Sequence, residues 1–581
     1  MKEDYVVFEI SSEIARKIGG IYTVILSKSN EMNKIFGENY ITIGFYDALN
    51  IAYDFVEMEA PKFIKDTAEK MKEKKIIVHY GKWTNAGNCC CFLIDSSFFA
   101  ETEKTNEIKK LLWEKFKIDS LFMGFDFNQN IMWAWCVGIF IEELIKTEPF
   151  KNKKIISHFH EWISGAGLLY LKINNVKTAV VYTTHATVLG RSIVLSGESN
   201  LQNEIAEGIK KNQKIDDSKA FEFKIEGKHL LEKVCAEQAS VFTTVSETMA
   251  DEVKYILGKS PNVITLNAFD FSKFSNYNEI QKSKEKNKDD IDNLLLSLFM
   301  PYYKIELNNK ILIYISGRYE TRNKGIDIYI KALSKLNKML VSSGSKKEVY
   351  TFIFVPTSVM GAKKVVVNNL LLVDKLNDYL REGGKDSKEI DKITKSLDTS
   401  NGKPPVSVYE LGYPNDEILS LINSSGLDNG EDKKVKVIFY PTYLKPGDGV
   451  LNMSYNEVIQ MFDIGVFPSR YEPFGYTPVE AGANYSIAVT TDLSGFGKFI
   501  EKKFGDTYLR GIHVLKIQNK RDDESASALA GFLMRICEKK KEEIELLKKD
   551  AREMVLSCNW KEQIKTYLDS YRMAIKEVYG G

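Results

Sequence analysis

Two carboxylates eight positions apart, Glu472 and Glu480, flank a glycine turn at Gly475 in the segment RYEPFGYTPVE, residues 470 to 480. Fixed acids beside a helix start suit the hydroxyls of a nucleotide sugar, because the helix N-terminus offers free N–H groups and partial positive charge to a diphosphate. Thr477 and Pro478 mark that start, and the plain alternative is a Thr-x-x-Glu capping box that binds nothing. Upstream, SGRYETRNKG carries Arg318 just past a strand and Lys324 before a helix. A guanidinium fork and an ammonium at a strand mouth can hold a diphosphate leaving group without a metal; otherwise they are a solvated loop.

Three of the six histidines stand at two strand ends: His158 and His160 in SHFHEW, followed by Glu161, and His185 in YTTHATVLGR, followed by Arg191. Such groups bind sugar hydroxyls or share a proton, or are buried and satisfied by backbone. HEW lacks the second histidine of a HExxH zinc site, so no metal is expected. Near the N-terminus KIGG places Lys17, Gly19 and Gly20 at a turn before a helix. Paired glycines allow phosphate to approach the backbone, but the spacing is not G-x-G-x-x-G and also fits a structural turn.

The elements that must position these groups are short β-branched runs (VVFEI, YITIGF, KKIIS, AVVYTT, SVFTTV) alternating with helical patterns, which is the signature of a parallel α/β sheet. The polar stretch Tyr277 to Asn293 interrupts the alternation and reads as a domain boundary. The pattern then resumes at ILIYIS, TFIFV, KVIFY, IGVF and IAVT. Two doubly wound domains are therefore expected, each binding ligand beyond the carboxyl ends of its strands. From about Lys363 to Pro405 a polar insertion has helical spacing, with Leu370, Leu371, Leu376 and Leu380 as apolar positions of a helix pair. The pair either packs on its own domain or is covered by another subunit. Toward the C-terminus, Trp560, Ile564, Tyr567, Tyr571 and Ile575 share one helical face.

At 581 residues with 44% hydrophobic content the chain can bury large cores in more than one domain. With 80 Lys and Arg against 79 Asp and Glu it has no electrostatic footprint for nucleic acid or an anionic membrane. The start MKEDYVVFEISSE has no apolar signal region, and no apolar run is long enough to span a bilayer, so a cytoplasmic protein is expected. Seven cysteines lack zinc-site spacing and read as free thiols; strand alternation in Cys89, Cys90 and Cys91 would bury Cys90 and expose its neighbours.

Taken in order, GGIYTV, HFHEW, TTHAT, FTTVSE, SGRYE with NKG, EPFGYTP and LSGFG resemble the animal and fungal type of glycogen synthase, from about Tyr5 to Tyr579. The resemblance implies the GT-B fold, two Rossmann-like domains facing across a cleft. It implies an acceptor-side domain over 1 to 276, a nucleotide-sugar domain over 294 to 555 with the helical insertion, and a final helix over 556 to 581 crossing back to the first domain. It also implies transfer of glucose from UDP-glucose to the non-reducing end of an α-1,4-glucan with retention, without metal or other cofactor.

Carried over by position, Arg318 and Lys324 would stabilise the departing UDP, Tyr455 would stack on uracil, and Glu480 would accept from the ribose. Glu472 would hold the glucose, while Glu161, His185 and Arg191 would line the glucose and acceptor side. Thr477 and Tyr476 would lie near the phosphates, with Lys17, Gly19, Gly20, His160 and Asn267 completing the substrate-binding set. The family's glucose 6-phosphate site uses an arginine cluster, whereas LLKKDAREMVL offers only Lys548, Lys549 and Arg552, so that control is expected to be absent. Where relatives have Pro-Asn-Gly this chain has Leu266, Asn267 and Ala268. A homo-oligomer, a tetramer by the resemblance, is expected through the insertion. The alternatives are a retaining transferase using ADP-glucose or another acceptor, and a catalytically silent glucan-binding protein.

Overall fold

The computed structural model describes residues 4–48, 54–100, 104–197, 201–383, 386–399 and 402–580. Its internal contacts divide the chain into two units, one running to Asp270 and taking in the chain from Cys558 onward, the other spanning Phe271–Ser557.

The first unit is built on nine strands: β1 (Tyr5–Ile10), β2 (Tyr40–Phe45), β3 (Phe55–Glu57), β4 (Ile77–Trp83), β5 (Cys89–Asp95), β6 (Lys154–His160), β7 (Ala179–Thr184), β8 (Val241–Thr244) and β9 (Val263–Ile264). They form one sheet in the order β3-β4-β5-β2-β1-β6-β7-β8-β9. Pairing from β5 to β9 is parallel, while β4 runs antiparallel to both its neighbours. Helices cover both faces, which is why β1, β6 and β7 are buried along almost their whole length instead of alternating. Helix Trp560–Tyr579 packs on this sheet through Trp560, Ile564, Tyr567, Tyr571 and Ile575, the face read from the sequence.

The second unit has a six-stranded parallel sheet of β10 (Lys310–Ser316), β11 (Glu348–Phe354), β14 (Val435–Phe439), β15 (Ile464–Val466), β16 (Ile487–Thr491) and β17 (Ile512–Leu515), ordered β14-β11-β10-β15-β16-β17. A separate antiparallel pair joins β12 (Val359–Ala362) to β13 (Tyr409–Leu411). Between these lies the expected helix pair, Lys364–Arg381 and Ser387–Lys395. The first of the two buries Val365, Val366, Asn369 and Val373 while leaving Leu371 64% and Leu380 47% exposed.

The stretch from Tyr277 to Asn293 forms most of helix Tyr277–Phe299, started by a capping box between Asn276 and Glu279, close to where the second unit begins at Phe271. Its polar residues are the exposed faces around a stripe containing Ile280, Ile291, Leu294, Leu295 and Leu298. In β5, Cys89 and Cys91 are buried and Cys90 half-buried, the reverse of the expected phase. Alternation fixes a period of two, but helices elsewhere decide which face is covered. All seven cysteines are free, and burial pushes the Cys89 and Cys90 thiols up to about 12. Among the described residues no helix is long and apolar enough to cross a membrane.

Candidate active site

In the second unit the sequence-read groups converge at the carboxyl ends of β10 and β15. Gly317 follows β10 and its missing side chain leaves room for the stem of Lys324, whose carbons lie 3.7–3.9 Å from where a Cβ would be. Lys324 Nζ donates to Glu472 Oε2 at 2.6 Å, both side chains being 18% exposed. Gly325 then starts helix Ile326–Ser342 with φ 66°, and a Cβ there would meet Pro468 O at 2.0 Å, so a glycine is required twice over. Arg318 stands exposed beside Glu320 at 3.1 Å. Tyr455, first residue of helix Tyr455–Gln460, shares a hydrogen bond with Ser316 Oγ at the end of β10 (2.9 Å). Burial and the charge of Glu480 push the Tyr455 phenol above its usual range.

The EPFG loop is held by backbone. Gly495 N donates to Glu472 O (3.1 Å) and Phe496 N to Phe474 O (2.8 Å), so LSGFG is the clamp that fixes Glu472. Gly475 caps helix Tyr476–Ala483 at φ 106° with no side-chain cap, and Tyr476 and Thr477 are its first two residues. The Thr-x-x-Glu capping box is therefore not formed: Thr477 already lies inside the helix, and the glycine turn supplies the start instead.

In the first unit the register of the sheet builds a polar cluster inside an apolar interior. Parallel pairing sets Glu9 of β1 beside His158 of β6, and His160 beside Thr183 of β7. The two-residue period then puts Glu9, His158, His160 and Thr183 on one face. Helix Gly20–Phe36 adds Lys28, whose ammonium bonds Glu9 Oε1, and Tyr40 donates to Glu9 Oε2 at 2.5 Å. His160 Nε2 meets Glu9 Oε1 at 2.8 Å and its Nδ1 meets His185 Nε2 at 2.9 Å. His158 is held by Tyr571 OH (3.0 Å) and Thr183 Oγ1 (2.7 Å). Burial alone would raise Glu9, but Lys28 and His160 override it and keep its carboxyl well below the usual range. Burial lowers all three imidazoles, so they are neutral near pH 7. Glu9, His158 and His160 have the geometry of a metal ligand set, but the ammonium of Lys28 already balances the carboxylate there.

Glu161 follows His160 at φ 64°, a left-handed conformation costly for a side-chain-bearing residue. That turn aims its carboxylate at the loop after β7, where Oε1 accepts from the N–H groups of His185 (2.8 Å) and Ala186 (3.1 Å). Burial lifts its pKa to about 7 against the pull of Arg191. Glu252 and Glu232 hold the next residues, Thr187 and Val188. Arg191 lies on helix Val188–Ser196, capped by Thr187.

The Lys17–Gly19–Gly20 turn lies exposed ahead of helix Gly20–Phe36, and Glu13 sits at that N-terminus, accepting from Gly19 N (3.0 Å) and Tyr22 N (2.8 Å). Asn267 is buried beyond β9, its carbonyl accepting from Cys558 Sγ at 3.3 Å.

A sequence model of glycogen synthases matches residues 9–382 and 383–581. The chain belongs to the glycogen synthase family. Liver glycogen [starch] synthase of Mus musculus is 30% identical, the match covering 98% of this chain and 81% of that one. Glycogen [starch] synthase of Neurospora crassa is 28% identical over 99% of this chain and 84% of its own. Among solved structures, the catalytic domain of starch synthase IV from Arabidopsis thaliana, bound to ADP and acarbose, matches 99% of both chains at TM-score 0.54 and 13% identity. A UDP-forming trehalose-phosphate synthase from Burkholderia xenovorans reaches 0.50 at 12% identity, over 98% of this chain and 99% of that one. The fold is the α/β GT-B architecture of glycosyltransferases, each unit a Rossmann-like sheet.

Three residues of this glycogen synthase family member escaped the sequence reading. Arg470 fixes the Lys324 loop, pairing through both Nη atoms with Asp327 at 2.8 Å and donating to Arg322 O at 2.6 Å. Its partner is 143 positions away, so nothing local reveals it. Glu9 and Lys28 had a signal: a charge inside an otherwise apolar strand, VVFEI, demands a buried partner.

Proposed function

We propose that this member of the glycogen synthase family transfers glucose from UDP-glucose to the non-reducing end of an α-1,4-glucan with retention of configuration. The observation that carries the reading is the Lys324–Glu472 pair, 2.6 Å apart at the strand ends of the second unit beside a glycine-capped helix N-terminus. Arg318 and Lys324 would take up the charge of the departing diphosphate, and Glu472 a sugar hydroxyl. Tyr455 and Glu480 would take the nucleoside, with Tyr476 and Thr477 near the phosphates. In the first unit Glu161, His185 and Arg191 would line the glucose and acceptor side, with His160, Asn267 and the Lys17, Gly19 and Gly20 turn in the substrate-binding set. The acceptor 4-hydroxyl forms its bond to the anomeric carbon on the face from which UDP departs. As that carbon's bond to phosphate oxygen breaks, the hydroxyl proton passes to the leaving diphosphate. The protein supplies placement and charge stabilisation, with neither a covalent sugar intermediate nor a metal.

Glucose 6-phosphate control is absent in this reading. Lys548 pairs with Asp463 (2.6 Å) and Glu545 (2.9 Å), and Lys549 lies over the Tyr277 ring. Arg552 donates to Ala483 O at 2.5 Å while stacking on Phe271 and Tyr485, so all three cations are engaged internally. A cytoplasmic homo-oligomer, a tetramer, goes with this reading, Leu371 and Leu380 being the apolar groups a second copy would cover. The test is incorporation of labelled glucose into glycogen from UDP-glucose and from ADP-glucose, with and without glucose 6-phosphate. UDP-glucose is expected to be the preferred donor at a rate the effector does not change. Preference for ADP-glucose, or no incorporation from either, would overturn the reading, and a several-fold activation would overturn its unregulated form.

A further inference from the structure

His158, His160 and His185 offer six ring nitrogens, and five have protein partners: Tyr571 and Thr183 for His158, Glu9 and His185 for His160, and His160 for the Nε2 of His185. The sixth, Nδ1 of His185, makes no hydrogen bond to the protein among the described residues. It belongs to the most accessible of the three, at the tip of β7. What that nitrogen can do is decided at Glu9, two groups away through His160. An ionised Glu9 only accepts, and it is kept ionised by Lys28, Tyr40 and the placement of the pair under the ring of Tyr567, which lies 4.3 Å from the Lys28 ammonium. The Nε2 of His160 must therefore carry the hydrogen. Its Nδ1 in the neutral ring is a lone pair, so the Nε2 of His185 is the donor between the two rings.

We propose that the Lys28–Glu9 ion pair positions His185 for sugar recognition: acting through His160, it fixes the tautomer whose Nδ1 is a lone pair, so His185 accepts a hydrogen bond from a substrate hydroxyl and cannot donate one. Lys28 and Glu9 are positioning residues, buried out of reach of any ligand, and the inference rests on the sugar-binding reading of the β7 tip. A site that accepts from hydroxyls discriminates against a sugar lacking the matching one, because the aimed lone pair is then left without a donor.

Two measurements test it. The protein is labelled with 15N-histidine, and the six histidines are assigned by single substitutions. Long-range 1H–15N spectra of the unliganded wild type should show His185 protonated at Nε2 and bare at Nδ1. The opposite tautomer, or a mixture, overturns the relay, and this holds whether or not any variant folds. The second is a double-mutant cycle of Glu9→Gln with Lys28→Met, which removes both charges together and leaves an amide able to donate or accept, against His185→Ala. The charge removal should lower kcat/KM for the sugar donor about tenfold in the wild type and change it little once His185 is alanine. Equal losses in both backgrounds would mean that the pair only supports the fold, which rejects the proposal. Unchanged kcat/KM in His185→Ala alone would reject the sugar-binding reading while leaving the tautomer assignment standing.

Discussion

Lys324 and Glu472 neutralise one another, so each is held in place without the charge of a ligand, and in the proposed reaction a diphosphate would meet an ammonium already aimed. Removing that ammonium should take away stabilisation of charge that develops only as the donor bond breaks. Lys324→Ala is therefore expected to lower kcat by about a hundredfold or more with KM for the donor changed far less, measured by UDP release. Unchanged turnover would remove Lys324 from the mechanism. Most of this site was legible because short motifs carry it: NKG places a glycine that the approach of Pro468 requires, and EPFG places another at φ 106°. Arg470 was not legible, although it lies inside the best motif, because a long-range ion pair leaves no local pattern. The capping box weighed as the alternative at Thr477 is not formed, since the turn at Gly475 starts the helix two residues earlier.

β17 illustrates what a strand imposes on a titratable group. His513 is buried there, stacked on Phe532 with ring centroids 4.2 Å apart, and burial pulls its pKa from 6.5 down to about 4. The folded state thus binds fewer protons than the unfolded one between those two values. The stability it contributes is full above pH 6.5 and is lost as pH falls toward 4. His513→Phe keeps the stack and removes the titration, so the variant should lose about 2 kcal/mol less than the wild type between pH 7 and pH 5, read from denaturant unfolding. Equal losses would show that His513 is not the sensor. Elements of this kind were readable where one apolar run makes one strand. The exceptions share a cause: the helix Tyr277–Phe299 hides behind its polar faces, and Cys90 took the wrong face, because neighbours distant in sequence decide what is covered.

The chain alternates twice between strands and helices, and that rhythm was enough to expect two Rossmann-like units. It did not show where one core ends: the first unit closes only with the chain from Cys558 onward. Helix Trp560–Tyr579 brings Tyr571 to His158, Tyr567 over Lys28, and Trp560 Nε1 to Ser27 Oγ at 2.8 Å. A chain cut after Ser557 should therefore keep a protease-resistant second unit while the first becomes readily cleaved; equal resistance of both would refute this dependence. The same return of the chain has a meaning for synthesis. A ribosome must add the 287 residues from Phe271 to Ser557 before the missing helix is made, a wait of about 15 to 60 s at ordinary elongation rates. The unit whose strands are translated first is thus the one completed last, and through that interval Lys28 and Glu9 stand without the ring of Tyr567 above them.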